Sequence, residues 1–275
     1  MGCLVIDVVV LNRNLGSVCD ALCAEIDARF GSESKLVVVD CSTSPDLSSS
    51  RKTLVEESEL AIQIGLRFNR GMNKGITHLL EEGTVNPWIL LLPVDTEFVH
   101  LDLDTLLTEL SAAPEVVAVK PLAERSVYSE LLGQLSFGLG WNFEEGPWLL
   151  RSDFVRQQMA MSLDDTFFDS SNFRGFLTGL EIGFRAYSNG KAVGISRNLV
   201  LRENETYLIE KSDLMRTEGV DEHMALYASE GEAWLKSKYG IEDPWDFAQI
   251  VRLLFEQFMV ENPQCRPLAL GWSRK

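Results

Sequence analysis

Trp88-Ile89-Leu90-Leu91-Leu92-Pro93-Val94-Asp95-Thr96-Glu97 is the stretch whose reading decides the fold. The run is apolar without alternation, and Gly83 and Pro87 precede it. That pattern fits a strand covered on both faces of a parallel sheet rather than a half-exposed one. It ends in two carboxylates spaced i, i+2. Charges that leave a buried strand are costly unless they meet a cation, a donor or water. In open α/β sheets, ligands gather outside the carboxyl ends of the strands. Asp95 and Glu97 are therefore candidate ligands for a divalent metal and, through it, for the phosphates of a nucleotide. The plainer reading makes Asp95 the cap of a following helix and Glu97 a solvated loop residue.

Outward from this strand the pattern repeats. Residues 5–11 and 35–40 are apolar, β-branched runs, and 61–65 reads as a short further strand. Helical stripes at 17–30, with Ser17 as cap, and at 69–81 lie between them. A helix at 103–110 and a strand at 116–122 follow. The order β-α-β-(β)-α-β-α-β implies an α/β fold: right-handed crossovers and a mostly parallel sheet with helices on both faces. Residues 124–148 are rich in Gly, Ser and aromatics and read as loops or an edge hairpin, with Trp141 and Trp148 open to a sugar-stacking or a packing role. Helices are expected at 152–161, 173–188, 221–238 and 244–261, and a short strand at 191–195. An acidic loop spans 164–172. The last helix, opened by Pro244, is expected to bury Trp245, Ile250, Leu253, Leu254 and Phe258 as core or as a homodimer surface. The chain thus divides into an α/β domain at 1–205 and a helical C-terminal extension at 206–275 packed on it.

The 275 residues carry a net charge of −16, with 25 Lys and Arg against 41 Asp and Glu. Such a surface argues against non-specific nucleic-acid binding, where cations on phosphates dominate affinity, and against a polybasic membrane anchor. Five scattered cysteines, none in a CxxC pair, fit a reducing compartment, and the expected location is cytoplasmic. No run approaches the roughly 18 apolar residues that read as a membrane-spanning helix. His78, His100 and His223 match no ligand pattern.

Three strand ends, Asn12-Arg13-Asn14, Asp40 and Asp95-x-Glu97, would share one rim of a parallel sheet and form one pocket. Their sequence context resembles the family 2 glycosyltransferases of the GT-A fold. Val8 to Asn14 is similar to that family's opening strand and polar loop. Val37-Val38-Val39-Asp40-Cys41-Ser42-Thr43 matches its "VVVD-x-S-T" segment, and Asn73-Lys74-Gly75-Ile76 its "N-x-G" helix. Leu90 to Glu97 matches the "LLLxxD-x-(D/E)" strand end. Phe168-Asp169, then Thr178 to Arg185 and Gly190, resembles "FD…(E)D-x-D-L-x-x-R-x-x-x-x-G". Trp234 to Gly240 is similar to a "KWG"-type segment near the family's C-terminus.

The resemblance implies a three-layer GT-A-like domain (a nucleotide-diphospho-sugar transferase fold) and metal-dependent, inverting transfer of a sugar. The donor would be a nucleotide-diphosphate sugar and the acceptor a hydroxyl of a glycan, lipid or small molecule. Asp40, Asn12 and Asn14 would line the base and ribose pocket, Arg13 would meet phosphate, and Asn73 would sit under the donor. Asp95 and Glu97 would hold Mg²⁺ or Mn²⁺. Where the family carries its "ED" base, this chain has Thr178-Gly179; Glu181 aligns with the acid two residues on, and Asp169, with Asp164 and Asp165, lies nearby as a substitute, so Glu181 and Asp169 are the candidate catalytic carboxylates. A metal-contacting His after the last strand is replaced in the region of Arg202, Glu203 and Asn204. Two rival readings follow: a nucleotide-sugar-binding protein without its base, and a nucleotidyltransferase, which would want a Gly-rich basic loop after the first strand.

Overall fold

The computed structural model describes residues 5–57, 59, 66–83, 86–204, 206 and 220–271. The strand expected at 61–65 lies outside these residues. Two compact units divide the chain. Unit 1 comprises Met1–Glu97, Leu150–Phe176 and Glu203–Trp234, and unit 2 comprises Phe98–Leu149, Leu177–Arg202 and Leu235–Lys275.

In unit 1 the strands β1 (Ile6–Asn12), β2 (Leu36–Asp40), β3 (Leu54–Val55) and β4 (Trp88–Pro93) are parallel, in the order β3-β2-β1-β4. Val8, Val9 and Val10 of β1 and Ile89 to Leu92 of β4 have no exposed surface. The uninterrupted apolar runs are thus strands covered on both faces, as the sequence implies. Two helices flank them, α1 (Gly16–Phe30) and α2 (Arg67–Glu81). Helix α2 approaches the sheet through Gly71 and Gly75, where a Cβ would press into the side chains of Leu11 and Val9. Helix α1 has Leu15 at its cap with no side-chain bond there, and Ser17 does not cap it. Asn12 Oδ1 instead accepts from Leu15 N at 3.2 Å, so β1 and α1 are joined by the last residue of the strand.

Asp95 is followed by a strand, β5 (Thr96–Leu101), so it caps no helix. The cap of α3 (Leu103–Ala112) is Asp102, whose Oδ1 accepts from Thr105 N at 3.1 Å.

In unit 2, β6 (Val116–Ala123) runs parallel to β9 (Ala192–Glu203), and β7 (Phe137–Leu139) pairs antiparallel with β9. The 124–148 region holds α4 (Tyr128–Leu132), β7 and the start of β8 (Trp148–Arg151) rather than a hairpin closed on itself. Strand β9 has 12 residues, far beyond the expected 191–195. Its polar middle is satisfied by partners distant in sequence. Ser196 Oγ and Asn198 Nδ2 donate to Glu109 Oε2 at 3.1 and 2.9 Å, and Arg197 donates to the carbonyls of Leu135, Ser129 and Gly133.

Helix α5 spans Ser152–Met161, as expected, in unit 1. Helix α6 (Thr178–Ser188) starts later than residue 173, because Leu177 stands in the left-handed region at φ 54° and cannot continue a helical turn. Helices α7 (Val220–Tyr239) and α8 (Pro244–Glu261) end the helical part. The buried stripe of α8 differs from the expected one. Phe247, Val251, Phe255 and Phe258 pack inward, with ring contacts from Phe184 and Tyr187 of α6, while Trp245 and Leu253 are 65% and 64% exposed. Trp148 is fully buried, edge-on to Phe143 at 6.0 Å and 5.5 Å below Lys120 Nζ, so its role is packing and it forms no open wall.

Gly16 shows how tightly the first turn of α1 is held: a Cβ there would overlap the backbone carbonyls of Ser48 and Leu47. Gly16→Ala is expected to lower unfolding free energy by roughly 1–3 kcal/mol through overpacking, measured by urea denaturation; a change within 0.5 kcal/mol, about the usual effect of a surface substitution, would contradict this packing.

Candidate functional site

The carboxyl ends of β2, β1 and β4 lie side by side in unit 1. Asn12 pairs with Asp40, and Leu11 with Pro93. Cys41 N donates to Asn12 O at 3.0 Å and Val94 N to Leu11 O at 3.1 Å, which carries the alignment past the strands. At one strand spacing each, Asp40 and the end of β4 stand about 10 Å apart. The rim expected from the three polar strand ends is therefore present.

Asp40 is 1% exposed, and its two oxygens are shared among donors of the protein. Oδ2 accepts from Asn12 Nδ2 at 2.7 Å and from Ser49 N at 2.8 Å; Oδ1 accepts from Ser42 N at 3.0 Å. Burial pushes this carboxyl up, and the bonds from Ser49, Asn12 and Ser42 outweigh it, holding it below the usual value. Asn14, left-handed at φ 60°, accepts on Oδ1 from Thr43 N at 2.7 Å and Thr43 Oγ1 at 3.1 Å. Arg13 is 4% exposed and donates from Nη1 to Cys41 O at 3.0 Å. The first two loops of the rim are thus locked to each other by the residues expected to line a nucleoside pocket.

Asn73 acts alike on a third loop. Its Nδ2 donates to Phe168 O at 2.8 Å and its Oδ1 accepts from Phe168 N at 2.9 Å. This amide clamps one residue's backbone from both sides, and Asp169 follows directly. Asp169 is half-buried. Its Oδ1 accepts from Ser171 N at 2.9 Å and Ser171 Oγ at 2.6 Å, and its Oδ2 from Trp234 Nε1 at 3.1 Å.

At the end of β4, Asp95 is 3% exposed and Glu97 half-buried. One residue ties them together. Asn204 N donates to Asp95 O at 2.9 Å, and Asn204 Nδ2 to Glu97 Oε1 at 2.9 Å. No group of three His, Cys, Asp or Glu suited to a metal occurs among the described residues. Asn204 was outside the expected ligand set. Its only signal in the sequence is its position just past the last strand.

In unit 2, Glu181 is 2% exposed. Its Oε1 accepts from Arg185 Nη2 at 2.7 Å, Lys238 Nζ at 2.8 Å and Tyr239 OH at 2.9 Å. Burial pushes the carboxyl up, but Arg185 and Lys238, with the bonds from Lys238 and Tyr239, hold it below its usual value. Two residues earlier, Gly179 faces backbone: a Cβ there would overlap the carbonyl oxygen of Phe143 and lie 2.9 Å from that of Glu144.

No family model matches the chain, and no curated protein matches it. Solved structures do. The chain is similar to mannosyltransferase PcManGT from Pyrobaculum calidifontis in complex with GDP-Man and Mn²⁺, at 18% identity and a TM-score of 0.53, over 96% of this chain and 72% of that one. It is also similar to GalNAc-T7 with UDP, GalNAc and Mn²⁺, at 12% identity and a TM-score of 0.57, over 94% of this chain and 57% of that one. The chain thus spans little more than half the length of the second. These likenesses show the fold, which is that of the GT-A glycosyltransferases.

The Glu181 cluster gives a signed pH dependence. Because the folded carboxyl titrates below its ordinary 4.5, its contribution is complete above that value and is lost as pH falls through the lower folded one. Glu181→Ala, which leaves two cations without their buried partner, is expected to cost about 3 kcal/mol at pH 7. The gap from wild type should narrow steadily below pH 4.5 in urea melts; a gap that is constant down to acid pH would contradict the cluster.

Proposed function

We propose that the chain transfers a sugar from a nucleoside-diphosphate donor to a hydroxyl acceptor, with Mg²⁺ or Mn²⁺ at the end of β4. The observation that carries this is the group formed by Asp95, Glu97 and Asn204 on a rim of GT-A topology. The donor set is all oxygen, as these hard cations prefer. Mg²⁺ is commonly held by one or two carboxylates, with substrate phosphates and water completing the shell, so a pair rather than a triad of carboxylates suits it. The metal would act there as a Lewis acid toward a departing nucleoside diphosphate. The nucleotides and Mn²⁺ bound by the two similar structures belong to the same chemical class.

In this reading the chain's own residues bind by holding backbone in place. Asn12, Asn14 and Asp40 fix the loops at 12–14 and 41–43 against which the nucleoside would lie, and Arg13 braces them from beneath. Asn73 fixes the turn that carries Asp169. Of the two candidate catalytic carboxylates, Asp169 is half-buried and meets only neutral donors in Ser171 and Trp234 among the bonds given above, whereas Glu181 is buried and closed off by two cations and a phenol. We assign Asp169 as the general base of an inverting transfer and Glu181 to the support of α6.

One observation favours a second reading, a nucleotide-sugar-binding protein without turnover. Gly179 stands where the resembling family carries its base, and backbone carbonyls fill the space a side chain would need.

Thermal melts with UDP and with GDP, each with and without Mn²⁺, test the rim. Ligand at a hundredfold excess over its Kd is expected to stabilise wild type by about 2.7 kcal/mol, and Asp95→Asn to abolish the Mn²⁺-dependent part. No stabilisation by either nucleotide would contradict both readings. Turnover of GDP-mannose or UDP-GalNAc, falling at least about a hundredfold in Asp169→Asn, supports the enzyme; nucleotide binding without any donor turnover supports the binder.

A further inference from the structure

Unit 1 contains a cavity of about 480 Å³ beside α2, within the size range of small-molecule sites. Its lining runs down α2 from Arg70 to Glu81, twelve residues or about 16 Å of helix. Of the residues assigned to the rim above, only Asn73 touches it.

Val39, Leu54 and Leu66 give the cavity an apolar lining. Arg70 also lines it, in a fixed pose: its Nε donates to Ser170 O at 3.1 Å, and its guanidinium lies 4.7 Å from the centre of the Phe173 ring. That guanidinium makes no other hydrogen bond among the described residues, so its terminal nitrogens are left for a ligand. Lys74, one turn on, is paired with Glu56 and adds a second cation to the lining. Thr77 brings a hydroxyl.

The helix itself points to the sign of the ligand. Its first turn has no acidic residue and no side-chain cap, and it carries Arg67 and Arg70. Cations at a helix N-terminus oppose the macrodipole, while an anion there gains from it. Arg70 and Lys74, at i and i+4, also repel each other. In a chain of net charge −16, the lining sets Arg70 and Lys74 against Glu56 and Glu81, and Lys74 is the cation paired with Glu56. A planar guanidinium held at Nε suits two-point recognition of a phosphate or carboxylate.

We propose that this cavity is a second ligand site, separate from the rim, for a small organic anion. The phosphate or carboxylate group sits on the terminal nitrogens of Arg70, and an apolar body lies against Val39, Leu54 and Leu66.

The test is calorimetric titration of the full chain, without nucleotide or metal, using phenyl phosphate, inorganic phosphate and phenol. Phenyl phosphate is expected to bind one per chain and at least about tenfold more tightly than inorganic phosphate, from burial of its ring. Phenol is expected not to bind measurably. Arg70→Ala is expected to weaken phenyl phosphate at least about tenfold, and Asp95→Asn to leave it unchanged. Leu54→Trp fills apolar space in the cavity while keeping Arg70, and is expected to abolish binding; it carries the test should Arg70→Ala fail to fold. Absence of binding in wild type, or binding that survives both pocket substitutions, overturns the site. Loss of binding in Asp95→Asn overturns its separation from the rim. Equal affinity for phenyl and inorganic phosphate overturns the apolar subsite.

Discussion

A buried strand that ends in a carboxylate has to find donors or cations for it at once, and unit 1 is arranged around that cost. The chain meets it in different ways at different strand ends. At the amino-terminal side of the sheet, Asp7 is fully buried and accepts from Lys35 N, Asn86 N and Asn86 Nδ2. At the end of β2, Asp40 receives two backbone N–H groups and the Asn12 amide. These carboxylates are filled by the protein, and their work is to fasten loops. At the end of β4, Asn204 reaches Glu97 through its side-chain amide and the Asp95 carbonyl through its backbone N–H, which ties this strand end to the end of β9.

This fastening changes how the site residues work. Side chains that would line a nucleoside pocket by resemblance are spent on each other and on the hydroxyls of Ser42 and Thr43. In unit 2, the first turn of α6 is closed in two ways. Gly179 is packed by carbonyl oxygens, and Glu181 is neutralised by Arg185 and Lys238. A buried carboxylate so paired stabilises its charged form, which is the opposite of what a general base near neutrality needs.

The sheet of unit 1 could be read from sequence because its signal is local. Uninterrupted runs such as 88–92 have few alternatives, and Asp243-Pro244 marks the start of α8 with both a cap and a fixed φ. What escaped reading depends on partners far along the chain. The polar middle of β9 looks like a loop until Glu109, 87 residues away, accepts from Ser196. Leu177 gives no hint of its left-handed backbone, so α6 was expected to start too early. The pairing of Asn12 with Asp40 spans 28 residues, and that of Glu97 with Asn204 spans 107. Residue types at the strand ends announced a site, but which of them are consumed internally is a property of the folded loops alone.

The central claim is that the end of β4 is a cation and diphosphate site. Anomalous diffraction at the manganese edge, on crystals grown with Mn²⁺ and a nucleoside diphosphate, measures this directly. The account predicts one strong peak in ordinary ligand range, about 2.0–2.6 Å, of carboxylate oxygens of both Asp95 and Glu97, with diphosphate oxygens completing its shell. A peak coordinated by other residues, or nucleotide density on the rim with no metal at Asp95, would contradict it.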